Sequence, residues 1–131
     1  MERQRYLVDT NAVIDYLGSK LPTFGMFLIN SLVNSNLNIS IISKIELLGF
    51  NTTTEDHQLL VNFINDANLI NLTDLIVERT IAIRKLYKIK LPDAIIAATA
   101  LENKLILITR NMFDFQNIAG LTIINPYKVL D

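Results

Sequence analysis

The stretch that most constrains the fold is Asp93-Ala94-Ile95-Ile96-Ala97-Ala98-Thr99-Ala100-Leu101, followed within a few residues by Leu105-Ile106-Leu107-Ile108. The first reads as a helix that is apolar on nearly every face. Such a helix must be buried, and its alanines allow close approach to a sheet. The second is a short continuous apolar run, which suits a strand covered on both faces. Together they require a layered arrangement of helices on a sheet.

The remaining chain repeats that alternation. Arg5-Tyr6-Leu7-Val8 reads as a strand that runs through Asp9-Thr10-Asn11 into the helical spacing of Ala12 to Leu17. Gly18 to Pro22 reads as a turn, followed by a helix over about 23–34. A strand is expected over Leu37–Ile42, and Ser43-Lys44-Ile45-Glu46 has the form of a capping box opening the next helix. A helix over Glu55–Asn68 precedes a brief strand over Leu69–Leu72. Thr73 can cap a helix that carries Arg84 and Lys85 towards its end, where cations suit the helix dipole. Leu91-Pro92-Asp93 then restarts helical spacing, and Asn103 is a candidate left-handed cap. Leu121–Ile124 gives a last strand. Alternating strands and helices predict an α/β fold, a three-layer α/β/α sandwich on a parallel sheet. One domain over residues 1–131 is expected at this length.

Half of the residues (50%) are hydrophobic, yet the apolar runs are short. None reaches the roughly 18–20 residues of a membrane span, so the excess reads as strands buried on both faces or as surface covered by a partner. The start, Met1-Glu2-Arg3-Gln4-Arg5, has no apolar core of a signal peptide. No cysteine is present, which excludes disulfides and thiolate chemistry, and a cytoplasmic location is expected. The net charge of −1 gives no global basic footprint. The local exception is Arg84, Lys85, Lys88 and Lys90.

Four acids stand where the chain returns to the carboxyl edge of a parallel sheet: Asp9, Glu46, Asp93 and Asp114. Ligands bind at that edge in open α/β sheets. Four carboxylates converging there would repel one another unless cations sat between them, and oxygen-rich sites suit Mg²⁺ or Mn²⁺. Each acid also has a plain use. Asp9 could only cap its helix, Glu46 could be the reciprocal partner of Ser43, Asp93 could favour a helix start behind Pro92, and Asp114 could be a solvated loop acid. Asp15 lies on the same helix face as Asn11, as a supporting group or a surface acid. His57, the single histidine, has no second soft ligand.

The order of the motifs carries further information. Leu7-Val8-Asp9-Thr10-Asn11, Ser43-Lys44-Ile45-Glu46, Leu91-Pro92-Asp93 with the alanine helix, and Leu107-Ile108-Thr109-Arg110-Asn111 with Asp114-Phe115 closely resemble the PIN-domain family, and within it the VapC-type toxins of toxin–antitoxin modules. The resemblance implies a Mg²⁺- or Mn²⁺-dependent endoribonuclease, an RNA substrate, a VapB-like antitoxin and a homodimer. It assigns Asp9, Glu46, Asp93 and Asp114 to the acidic, metal-holding cluster. Thr10, Asn11, Ser43, Thr109 and Asn111 become the polar residues that orient it. Many relatives carry an acid where Asn111 stands, so Asp114 is the only carboxylate of the last motif. Arg84, Lys85, Lys88, Lys90 and Arg110 are candidates for holding the RNA backbone. The helices around Phe24–Leu32 and Leu59–Ile64 are candidates for the dimer face.

Other readings compete less well. A non-catalytic interaction module has no need for four acids at one edge. A phosphorylated receiver domain wants paired acids after the first strand and a lysine after the last, where this chain has Asp9-Thr10 and Asn125-Pro126. Phosphatases with Asp-x-Asp after the first strand are disfavoured by Asn11.

Overall fold

In the computed structural model, which describes residues 4–128, strand side chains alternate between two apolar layers. Residues Met1, Glu2 and Arg3, read above for a leader, lie outside that range. The elements run β1 (Tyr6–Val8), α1 (Thr10–Leu17), α2 (Thr23–Val33), β2 (Asn38–Ser40), α3 (Ile41–Leu48), α4 (Thr54–Asp66) and β3 (Asn68–Ile70). Then come α5 (Asp74–Leu86), α6 (Leu91–Glu102), β4 (Ile106–Ile108), α7 (Met112–Phe115) and β5 (Ile123–Ile124). The strands form one sheet in the order β3-β2-β1-β4-β5, every pairing parallel. Leu7 stands opposite Asn38 on one side and Leu107 on the other.

Because successive strand residues point to opposite faces, Leu7 and Leu107 join α5, α6 and α7 in one core. Val8, Ile39, Ile108 and Ile124 join α1, α2, α3 and α4 in the other. The expected α/β/α sandwich is what the chain forms. The helix that dictated it, α6, buries every residue from Ala94 to Ala100. No helix among the described residues is long and apolar enough to cross a membrane.

Several boundaries differ from the expectation, each for a local reason. The second strand ends at Ser40 because the Ser40 hydroxyl accepts from Ile42 N at 3.1 Å and caps α3. Ser43 therefore lies inside the helix, fully buried, and the expected capping box does not form. The fourth helix starts at Thr54, capped by Thr53, and β3 begins at Asn68. Asn103 does not adopt the left-handed conformation; its side-chain amide donates to Thr99 O at 2.9 Å, and Lys104 takes the positive φ instead. On the helices suggested for a dimer face, Ile29, Leu32, Leu60 and Ile64 belong to the core, while Phe27 and Leu59 are exposed.

Two polar or small residues are fixed by the packing. Asn38 is buried in β2, where its amide donates to Tyr6 O at 2.9 Å and its oxygen accepts from Asn68 at 2.7 Å. These bonds tie three strands together where the β1–β2 register is a single pair. Gly25, in the first turns of α2, faces the chain after β5, and a Cβ there would lie 2.2 Å from Pro126 O. Overpacking of this kind costs about 1–3 kcal/mol. Gly25→Ala should lower stability by that amount in urea unfolding, and an unchanged midpoint would show that α2 and the Pro126 segment do not pack as described.

Candidate active site

The strand order sets the location. From β1 the sheet extends one way through β2 and β3, and the other way through β4 and β5. The reversal lies between β1 and β4, and a crevice opens at the carboxyl ends of such strands. Asp9 follows β1 and Thr109 follows β4. Asp9 N donates to Ile108 O at 2.9 Å, which holds the two strand ends together.

Asp9 is 4% exposed, and all its hydrogen-bond donors are neutral. Its Oδ1 accepts from Thr10 N at 2.8 Å, and its Oδ2 accepts from Thr109 Oγ1 at 2.8 Å and Asn11 Nδ2 at 3.2 Å. Asn11 also lies 3.2 Å from Thr109 Oγ1, and its own oxygen accepts from Arg110 N at 3.2 Å. Asp9 thus caps α1 and faces the crevice at once, so its two readings coexist. Burial pushes its carboxyl from 3.8 up to about 6. The bonds from Thr109 and Thr10 oppose that rise, while Asp93 and Glu46 add to it.

The other acids approach from separate elements. Glu46 projects from α3, and Thr10 Oγ1 donates to its Oε1 at 2.6 Å while lying 2.9 Å from Ser43 Oγ. Its partner is therefore Thr10 across the site, and the capping reading is set aside. Asp93 stands in the first turn of α6, half-buried, and accepts no hydrogen bond from a described side chain or backbone group outside the helix. Its carboxyl is raised by burial and then by the charges of Asp114 and Glu46, against a lowering by Lys90. Asp114 lies in α7. Asn111 caps that helix by accepting from Asp114 N at 3.3 Å, and it donates to Asp114 Oδ2 at 2.8 Å. Asn111 N in turn donates to Thr109 Oγ1 at 3.0 Å. The amide at this position therefore positions the neighbouring acid.

Asp9 feels the charges of Asp93 and Glu46, and Asp93 those of Asp114 and Glu46, but the four carboxylates do not converge into a closed cage. Among the described residues no three His, Cys, Asp or Glu side chains come close enough together to hold a metal ion. Glu46 is turned towards Thr10 and Asp114 towards Asn111, and like charges oppose any closer approach. The donor set remains oxygen-only, anionic and partly desolvated. It fits a hard divalent cation that keeps several waters and takes one or two carboxylates directly.

Asp15 has a role that its sequence context did not disclose. It is 3% exposed, and Arg110 Nη1 lies 3.0 Å from its Oδ2. Arg110 thereby clasps the segment after β4 to α1, through its backbone to Asn11 and its side chain to Asp15. The Arg110 side chain remains 55% exposed while making that pair. Arg84, Lys85, Lys88 and Lys90 are all exposed, as is His57, which stands apart on α4.

A PIN-domain family model matches residues 6–121. Among solved structures, a chain of a toxin–antitoxin complex from Klebsiella pneumoniae is 35% identical, with a TM-score of 0.77 over 95% of this chain and 99% of that one. VapBC-1 from nontypeable Haemophilus influenzae is similar at 23% identity and a TM-score of 0.78, over 95% of this chain and 100% of that one. DNA-bound VapBC from Salmonella typhimurium is similar at 21% identity and 0.78, over 95% and 99%. The last two likenesses show the fold alone. Comparison with curated proteins gave no match.

Two outcomes follow from this geometry. Because the folded state raises the Asp9 pKa, it holds that proton more tightly than the unfolded chain. Stability from the neutral carboxyl is full below about 4 and is lost as pH rises through about 6. Metal-free wild type should lose about 3 kcal/mol relative to Asp9→Asn across that window, and parallel stability curves would overturn the assignment of Asp9 as the strained acid. For the clasp, a double-mutant cycle of Asp15→Asn and Arg110→Ala should give a coupling of about 1–2 kcal/mol, reduced by the exposure of the guanidinium. Additive losses would mean that the pair does not hold the segment.

Proposed function

The chain belongs to the PIN-domain family, and we propose that it is a divalent-metal-dependent endoribonuclease, the toxin of a toxin–antitoxin pair acting in the cytoplasm. The observation that carries this reading is Asp9: a buried carboxylate at the sheet's switch point, held only by neutral donors and facing the acids of α3 and α6. A carboxylate left in that state has a strong need for a cation, and hard, hydrated ions suit it best.

In this reading Asp9 and Asp93 hold Mg²⁺ or Mn²⁺, with Glu46 and Asp114 reaching it directly or through water. When bound, the ion supplies activation of a water and offsets the charge that develops at an RNA phosphodiester. The protein's own part is positional. Thr109 and Asn11 fix the face that Asp9 Oδ2 presents, Thr10 restrains Glu46 beside Ser43, and Asn111 restrains Asp114. Asp93, free of such restraint, offers both oxygens to the ion or its waters.

The toxin role and a VapB-like antitoxin are supported by the Klebsiella relative, which forms a toxin–antitoxin complex. Exposed Phe27, Ile45, Phe50 and Leu59 give an antitoxin or a second copy of the chain apolar surface to cover.

The test is cleavage by protein freed of any partner. Wild type, Asp9→Asn and Asp93→Asn are incubated with folded transfer and ribosomal RNA in Mg²⁺, in Mn²⁺ and in chelator. Wild type should release discrete fragments only with metal, and either variant should lose activity by about a hundredfold or more. Thr109→Val, which removes only a supporting hydrogen bond, should cost about 10–100-fold in metal affinity or rate. Full activity in a folded Asp9→Asn protein would refute the mechanism. No cleavage together with no calorimetric metal binding would favour the non-catalytic module.

A further inference from the structure

A second charged feature lies beside the carboxylates but outside them. Where α5 turns into α6, Arg84, Lys85 and Lys88 line an open cleft of about 600 Å³ with Ile81, Tyr87 and Leu91. Lys90 follows at the N-cap of α6, and Asp93 lies one turn further on. Leu91, the first residue of α6, thus belongs to the cleft wall and stands two positions before Asp93.

Structural uses account for two of these four cations at most. Among the described residues the ion pairs are Arg79–Glu102 and Arg110–Asp15, so none of the four is neutralised by an acid. Helix-dipole compensation would explain Arg84 and Lys85, but among the described helices α5 alone has a basic last turn, so the chain does not stabilise its helices this way elsewhere. Lys88 lies past the end of α5. Lys90 occupies the N-cap of α6 without making a capping hydrogen bond, at the end of a helix where a cation is unfavourable. Its charge is felt at Asp93, whose carboxyl it lowers. A row of unpaired cations that ends at an acidic site has a natural ligand in a polyanion.

We propose that this cleft binds the phosphate backbone of the RNA strand as it leaves the carboxylate site, with Lys90 at the inner end and Arg84, Lys85 and Lys88 further out. The inference rests on the ribonuclease reading. Lysine and arginine at phosphates fix the register of a strand and carry no sequence information directly, so the cleft supplies affinity and orientation while base selection lies elsewhere.

The experiment measures binding of a labelled single-stranded RNA oligonucleotide by fluorescence anisotropy across a salt series, with Asp9→Asn as the parent so that no cleavage intervenes. Arg84→Ala/Lys88→Ala is added to that parent, with Lys104→Ala, beyond the far end of α6, as control. Each lost phosphate contact on a single strand reduces the slope of log K against log salt by about 0.7, so the double variant should lose about 1.4 and the control nothing. Matching circular dichroism and melting confirm that the variants are folded. An unchanged slope in the folded double variant overturns the cleft while leaving the ribonuclease reading intact. Failure of the parent itself to bind RNA at any salt overturns both. A double variant that binds RNA like its parent but loses affinity for an acidic protein partner also overturns the proposal.

Discussion

Burying the Asp9 carboxylate between the ends of β1 and β4 is the constraint on which the rest of the site depends. Ionised carboxyl groups are costly to remove from water, and here the cost shows as a carboxyl pushed up to about 6. Of its three neutral donors, Thr109 and Thr10 offset part of it. Two of the three, Thr10 N and Asn11, come from the turn that Asp9 itself begins, and the third, Thr109, comes from the neighbouring strand. The Thr109 bond is therefore the one that the tertiary fold must supply. It exists only because β1 and β4 are paired in parallel and in register, so that Val8 stands opposite Ile108 and the next residue of each strand is polar.

The apolar layers explain why that register is fixed. Leu7 and Leu107 point into one core, and Val8 and Ile108 into the other. Sliding either strand by one residue would exchange its two faces, and it would also carry Thr109 away from Asp9. Fold and site share one determinant. The same logic extends outward: Arg110, one residue past Thr109, reaches Asp15 on α1, and Asn111, two past, caps α7 and holds Asp114. Each residue after β4 thus fastens a different element to the switch point.

Much of this was legible in the chain. The all-round apolar helix Ala94–Ala100 and the run Leu105–Ile108 dictated a covered parallel sheet, and the polar residues after each strand marked its carboxyl edge. What escaped reading depended on partners remote in sequence or on competition between neighbours. Asp15 looks like an ordinary helix acid until Arg110, 95 positions away, is placed beside it. Ser40 and Ser43 are both plausible caps, and it is the Ser40 hydroxyl that accepts from Ile42 N, while Ser43 meets Thr10. Glu46 was freed from a local capping role by that same choice and turned instead to Thr10. Ile41 and Ile42, β-branched residues suited to a strand, became helical because the cap preceding them outweighed propensity.

The segment Lys90-Leu91-Pro92-Asp93 joins the acidic site to the basic cleft. Pro92 tolerates the first turn of α6, where an amide hydrogen has no partner to lose, so the helix can begin abruptly at this point. An abrupt start sets Asp93 at the carboxylate site within one turn of Lys90 at the edge of the basic cleft. The carboxyl of Asp93, raised by burial and then by Asp114 and Glu46 and lowered by Lys90, registers that adjacency. A more gradual helix start would spread these groups along a longer loop and separate the acids from the cations. Seven buried residues behind them, from Ala94 to Ala100, give the segment a rigid base. The helix that most constrained the fold therefore also fixes the boundary between the acidic centre and the surface proposed to guide a polyanion towards it.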